Sequence, residues 1–177
     1  MKKLGFIDRM PRLAVIQAEG AAPFYDLFAS SDKTVLHPIA RPATLATAIR
    51  IGNPVSWKKA LRSLDCTDGI VARVTEQEIA DAKAIIGRDG IGCEPASAAT
   101  LAGIKRLVAS GVIESTANVI AVLTGSLLKD PSYTIGYHTD NLALEDGAMR
   151  NPIKGLFPNR PIRTVANKDA IKRALVL

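Results

Sequence analysis

The chain has 177 residues, 47% hydrophobic and only 5% aromatic, with a net charge of +6. That length supports one packed core, and apolar content carried by Ala, Ile, Leu and Val suits an α/β protein better than a β-sandwich. No apolar run approaches the roughly 20 residues of a membrane helix. Asp8, Arg9 and Arg12 interrupt the start "MKKLGFIDRMPRLAV", so no secretory segment is expected and the reading is cytoplasmic, with no membrane partner.

In chain order, "LAVIQA" (13–18) is a short apolar run that reads as a buried strand. "EGAAPFYDLFASS" follows as a helix with an irregular start. "RPATLATAIRIG" places Leu45, Ala48 and Ile49 at helical spacing between Pro42 and Gly52, and predicts a second helix. "NPVSWKKALRSL" predicts a third, with Asn53 as N-cap and Pro54 at the first helical position. "GIVARV" is the next strand. Thr75 and Glu78 in "TEQE" form a capping box for a helix to about Ile86. After a short, extended "GIGC", Pro95 opens a helix to about residue 109. "NVIAVLT" has no polar alternation, so Val119–Leu123 reads as a strand buried on both faces.

Strands alternating with helices of this length predict an α/β fold with an open, mostly parallel sheet and helices on both faces. From Pro131 to about Arg163 the periodicity is lost. The expected organisation is therefore a main unit, 1–131, and a surface-wrapping extension, 132–177, ending in a helix "KDAIKRALVL".

In open parallel sheets, ligands collect at the carboxyl ends of the strands. "VIAVLTGS" delivers Thr124, Gly125 and Ser126 to such an end, where a hydroxyl beside Gly admits a ligand to side chain and backbone alike; the alternative is a plain turn. "GIGCEP" puts Glu94 at a helix N-cap, where the helix dipole favours a carboxylate. Ala96, Ala98, Ala99, Ala102 and Gly103 then clear one helix of large side chains, for close approach either of the sheet or of a flat ligand. At Gly52-Asn53-Pro54, where one predicted helix ends and another begins, free amides suit an anion, or the junction is a hinge.

Cys66 and Cys93 are too few for a disulfide framework or zinc site, and His37 and His138 lack ligand-spaced partners, so no metal is expected. The basic residues are scattered and no aromatic stripe accompanies them, which argues against a nucleic-acid partner. There is no Gly-rich phosphate loop of the G-x-x-x-x-G-K-[ST] or G-x-G-x-x-G kind, and no G-x-S-x-G elbow. The residues alone give an α/β domain with three ligand-facing junctions and no reaction.

At those junctions, "RPATLATAIRIGNPVSWKKAL", "CEPASAATLAGIKRL" and "VLTGSLLKDP" resemble the carboxyl-terminal half of threonine synthase, one of the fold type II, tryptophan synthase β-like enzymes dependent on pyridoxal 5′-phosphate (PLP). "IDRMPRLAVIQAEGAAPFYDLF" and "FPNRPIRTVANKDAIKRAL" are similar to the family too, and the likeness is weakest over about 132–155. The resemblance implies conversion of O-phospho-L-homoserine and water to L-threonine and phosphate, in threonine biosynthesis. It further implies that Thr124 hydrogen-bonds the pyridine nitrogen, with Gly125, Ile51, Gly52 and Glu94 around the cofactor and Asn53 toward the substrate. On this reading the small-residue helix packs behind the planar cofactor.

Two departures accompany the likeness. Many members read "TGHGLKDP", where this chain has Ser126 and Leu127. The family's Schiff-base lysine and cofactor-phosphate loop belong to the amino-terminal half, and none of this chain's lysines sits in a matching motif. The expectation is thus a carboxyl-terminal part, inactive without the amino-terminal half as partner. Exposed apolar surface should make it associate as a homo-oligomer. The alternatives are a non-catalytic metabolite- or partner-binding module derived from the same fold, and a different PLP-dependent lyase.

Overall fold

A computed structural model describes residues 2–146 and 149–175. Its centre is a parallel pair of strands, β1 (Ala14–Ala18) and β2 (Ile70–Val74), in register from Ala14 opposite Ile70 to Ala18 opposite Val74. Successive side chains leave opposite faces. Val15 and Val71 pack on one side with Phe24, Leu27 and Leu64 from helices α1 (Pro23–Ala29) and α2 (Trp57–Cys66). Ile16, Ala18 and Val74 pack on the other side against α3 (Glu76–Arg88) and α4 (Pro95–Ala109). The expected parallel sheet with helices on both faces is present. Fully buried side chains such as Leu64 and Ile79 each contribute roughly 1.5–3 kcal/mol.

Local signals set several boundaries. Gln17 Oε1 accepts from the Phe24 and Tyr25 amides at 3.1 and 2.9 Å, satisfying free donors at the start of α1. Thr75 and Glu78 form the expected capping box at the head of α3. Glu78 also receives Arg106 of α4 at 2.8 Å, tying the two helices together.

Three predicted elements differ. Residues 41–52 form no α-helix, only a 3-10 turn at Thr47–Ile49. Their backbone groups have found other partners. The Ala46 amide donates to Thr44 Oγ1 at 3.1 Å, the Leu45 amide to Glu76 Oε2 at 3.0 Å, and Arg50 Nε to the Thr44 carbonyl at 2.7 Å. Side-chain partners of this kind compete directly with the helical ladder.

The next helix begins at Trp57 with Ser56 as N-cap, so Asn53 and Pro54 lie in the preceding turn. The stripe that α2 buries, Trp57, Ala60, Leu61 and Leu64, starts only there. The free amides expected at Gly52-Asn53-Pro54 are therefore not those of a helix start.

The third difference is Val119–Leu123, which forms no strand and is not buried. Ile120 is 90% exposed and Val122 68%. A strand needs a neighbour to complete its hydrogen bonds, and among the described residues β1 and β2 pair only with each other. Of this segment only Leu123 packs against the core.

Beyond it the chain is more ordered than its lost periodicity suggests. Helix α5 (Pro131–His138) precedes an antiparallel hairpin, β3 (Leu142–Asp146) with β4 (Met149–Ile153). Tyr133, Tyr137, Leu142 and Ile153 pack on Ala80 and Ala84 of α3. Tyr137 donates to Asp81 Oδ1 at 2.5 Å, while its oxygen accepts from the Leu156 and Phe157 amides at 3.1 Å each. Burial and the Asp81 carboxylate push the Tyr137 phenol up to about 12. The last helix, α6 (Lys168–Ala174), is capped by Asn167, and Val176 and Leu177 of the predicted helix lie outside the described residues.

Glu78 offers a test of the α3–α4 linkage. Burial alone would raise its carboxyl, but hydrogen bonds from Thr75 and Arg106 outweigh that and hold it below its ordinary 4.5. A carboxyl lowered on folding stabilises fully above its unfolded value and loses that contribution as pH falls through the folded one. Glu78→Gln should cost about 1 kcal/mol, or roughly 2–4 °C in melting temperature, near pH 7. The gap between the two proteins should close in melts below pH 4.5.

Candidate functional site

Helix α4 is held tightly against the sheet. Ala98, Ala99 and Ala102 are buried in the same cluster as Ile16 and Val74, and a Cβ on Gly103 would collide with the Ile16 side chain. The small residues serve helix-on-sheet and helix-on-helix packing.

This packing fixes the first turn of α4, where Glu94 and Ser97 lie one turn apart on the same face. Glu94 is the N-cap by backbone conformation, but its side chain does not cap. It turns instead toward the 124–129 loop: Thr124 Oγ1 donates to Glu94 Oε1 at 3.2 Å, and Lys129 forms an ion pair with Glu94 Oε2. The hydrogen bond to Glu94 raises the exposed Lys129 ammonium above its usual range. Glu94 itself is buried.

Ser97 makes the remaining contacts. Its hydroxyl donates to the Thr124 carbonyl at 2.7 Å, accepts from the Thr124 amide at 2.8 Å, and lies 3.0 Å from Thr124 Oγ1. Gly125 adopts φ +66°, and a Cβ there would come within 2.5 Å of Glu94 Cδ. Glycine is thus required twice over, by the left-handed backbone and by the carboxylate beside it.

Behind the cluster, the buried Lys83 donates to the Cys93 carbonyl at 3.0 Å and fixes the residue before Glu94. Burial pushes the Lys83 ammonium down and the Cys93 thiol up. Cys93 is therefore a packed, unreactive thiol.

Of the residues singled out in the sequence, Thr124, Gly125 and Glu94 come together, although Thr124 ends no strand. Ile51, Gly52 and Asn53 make no hydrogen bond or ion pair with them among the described residues. The Gly52 carbonyl accepts from the Ile39 amide at 2.9 Å, while Ile51 and Asn53 are exposed. The adjoining Ile49 shares a core cluster with Cys93 and Leu123. Ser97 and Lys129 were missed; the three-residue step from Glu94 to Ser97 in "EPAS" was the available signal.

A cavity of about 330 Å³ lies elsewhere, lined by Arg41, Thr44, Arg50 and Glu145 among others, and shares no residue with this cluster. We place the candidate site at the cluster, because there the Ser97 and Glu94 side chains converge on Thr124.

A parallel α/β sheet and a loop bearing Thr-Gly against a helix start are features of a cofactor-dependent α/β enzyme. Comparison makes the class specific. Residues 1–125 match the family described as pyridoxal-phosphate dependent enzymes, and the chain belongs to that family, the fold type II PLP-dependent enzymes. Its relatives include threonine synthases. That of Methanosarcina acetivorans is 44% identical over 76% of this chain and 33% of the relative. That of Methanocaldococcus jannaschii is 39% identical over 80% of this chain and 35% of the relative. The chloroplastic threonine synthase 2 of Arabidopsis thaliana is 36% identical over 85% of this chain and 29% of the relative. The chain thus spans about a third of the length of the curated relatives it matches. No helix among the described residues is long and apolar enough to cross a membrane.

The site's chemistry fits the family's cofactor in one respect: Thr124, an exposed residue, offers a neutral hydroxyl, which can hydrogen-bond a pyridine nitrogen without imposing a charge on it.

The glycine requirement can be measured against an internal control. Gly111 also has a positive φ, +72°, but nothing stands within 4 Å of where its Cβ would lie. Gly111→Ala should cost about 1–2 kcal/mol of backbone strain alone. Gly125→Ala must in addition displace Glu94, so its thermal melt should fall further than that of Gly111→Ala.

Proposed function

We propose that this chain is the carboxyl-terminal part of a threonine synthase, converting O-phospho-L-homoserine and water to L-threonine and phosphate together with the amino-terminal part of the same fold. The observation that carries the reading is the convergence of Glu94 and Ser97 on Thr124, with Lys129 paired to Glu94, since these residues come from two of the stretches that carry the family likeness, "EPAS" and "TGSLLKDP". The relatives named threonine synthase at 36–44% identity support it.

When bound, pyridoxal phosphate supplies the electron sink for carbanion chemistry at the amino acid. Thr124 would hold its pyridine nitrogen, and Gly125 would let the ring approach the backbone. Glu94 would border the ring, its charge neutralised by Lys129. Ile51 and Gly52 would line the cofactor's face, and Asn53, exposed beside them, would meet the substrate. The amino-terminal part supplies the Schiff-base lysine and the cofactor-phosphate loop, so the chain alone is inactive. Residues 132–177 form an extension on the main unit, and the assembled enzyme works in the cytoplasm.

Phosphate release from O-phospho-L-homoserine tests this, measured with PLP for the chain alone and with a supplied amino-terminal part. Activity only in the mixture is the expected result, and Thr124→Ala should weaken cofactor binding there by roughly tenfold, the worth of one hydrogen bond. A mixture of two folded parts with no turnover would favour a non-catalytic binding module instead.

The exposed Ile120 and Val122 imply that the isolated chain self-associates. Sedimentation should show oligomers, and the paired change Ile120→Lys and Val122→Lys should shift them toward monomer with little change in melting temperature.

A further inference from the structure

The Ser97 hydroxyl engages the carbonyl, the amide and the side-chain hydroxyl of Thr124. We propose that Ser97 is the positioning residue for the Thr124 hydroxyl, setting where that hydroxyl stands and leaving its proton free to turn to a ligand. The proposal rests on Thr124 being the cofactor contact, as read above.

Among the described residues, 118–125 make no backbone–backbone hydrogen bond. The segment is mostly exposed and belongs to no strand. Its one backbone anchor is the Ser97 hydroxyl, which takes both main-chain groups of Thr124, the carbonyl at 2.7 Å and the amide at 2.8 Å. Ser97 is buried on the first turn of α4, and the packing of Gly103 on Ile16 and of Ala98 and Ala102 in the core fixes the rotation of that helix. An otherwise unanchored residue is thereby referred to the most rigid part of the molecule.

Proton accounting gives the hydroxyl its direction. A serine hydroxyl has one proton and two lone pairs. Ser97 gives its proton to the Thr124 carbonyl and one lone pair to the Thr124 amide. At the 3.0 Å contact between the two hydroxyls Thr124 is then the donor. Its single proton is shared between Ser97 Oγ and Glu94 Oε1, at 3.0 and 3.2 Å. When that proton leaves, Ser97 Oγ retains the Thr124 amide, and the Glu94 carboxylate retains its ion pair with Lys129 through Oε2 while Oε1 gives up its bond. Thr124 can therefore turn its proton toward an incoming ring nitrogen while Ser97 stays bonded and the Glu94 charge stays paired, the one bond given up being that to Glu94 Oε1.

Two measurements test the proposal separately from the function it rests on. In the chain itself, hydrogen exchange should show the Thr124 amide protected relative to the Ala121 and Val122 amides. Ser97→Ala should remove that protection by roughly tenfold or more, and Ser97→Thr, which keeps the hydroxyl, should retain it. Ser97→Cys serves where the alanine variant does not fold. Unchanged exchange at Thr124 in either the alanine or the cysteine variant overturns the anchor.

In the assembly with the amino-terminal part, cofactor affinity read from PLP fluorescence should fall roughly tenfold for Ser97→Ala. Because Ser97 acts through Thr124, the double variant with Thr124→Ala should be no worse than the weaker-binding single. An additive loss, roughly a hundredfold, overturns the positioning role. No loss with Thr124→Ala alone overturns the cofactor reading, and with it the purpose of the anchor, while the exchange result stands on its own.

Discussion

The close approach of α4 to β1 is the constraint on which the rest of the molecule depends. With only two strands among the described residues, the sheet offers little area for a helix to grip. Contact is gained by removing side chains: alanines at 98, 99 and 102, and a glycine at 103 where any Cβ would meet Ile16. Dispersion attraction falls steeply with separation, so a helix drawn in by this much packs far better than one held off by larger residues. The reach of the effect goes beyond stability. A helix that cannot rotate presents its first turn in one orientation, and Glu94 and Ser97 stand on that turn. The core packing of Ala98 and the hydrogen bonding of Ser97 are consecutive residues of one rigid element.

Legibility in the sequence followed the range of the forces involved. The Thr75–Glu78 capping box, Pro95 opening α4 and the apolar runs of β1 and β2 are specified within a few residues of themselves, and all stand where they were expected. Residues 41–52 were misread because partners distant in sequence decide them. Glu76 takes the Leu45 amide from 31 positions away, and the Gly20 carbonyl takes the Ala43 amide. Helical spacing of Leu45, Ala48 and Ile49 is a weak signal against such bonds. The start of α2 shows the same rule at short range, since the apolar stripe outweighed the Asn-Pro punctuation and moved the helix to Trp57. At the site, residue types that carry obvious chemistry were found, and the serine that places them was not. A hydroxyl among alanines reads as one more small residue until its partner is known.

The segment 118–124 carries the last step of synthesis. Its sequence specifies burial on both faces, yet Ile120 and Val122 are largely in water. An apolar surface left in water forgoes about 25 cal/mol for each Å², and an unpaired strand edge forgoes its hydrogen-bonded ladder as well. A pattern this consistent records an environment, and no described residue provides it. What the fold does provide is a fixed end for the segment: Leu123 half-buried against the core and Thr124 pinned at its main chain by Ser97. Ordering a strand from an anchored end loses less conformational entropy than ordering one free at both ends. The anchor that sets the Thr124 hydroxyl therefore also leaves the apolar stretch preceding it poised to pair with a neighbouring strand. The placement of the Thr124 hydroxyl and the fixed end of the segment thus hang on the same three hydrogen-bonding contacts of Ser97.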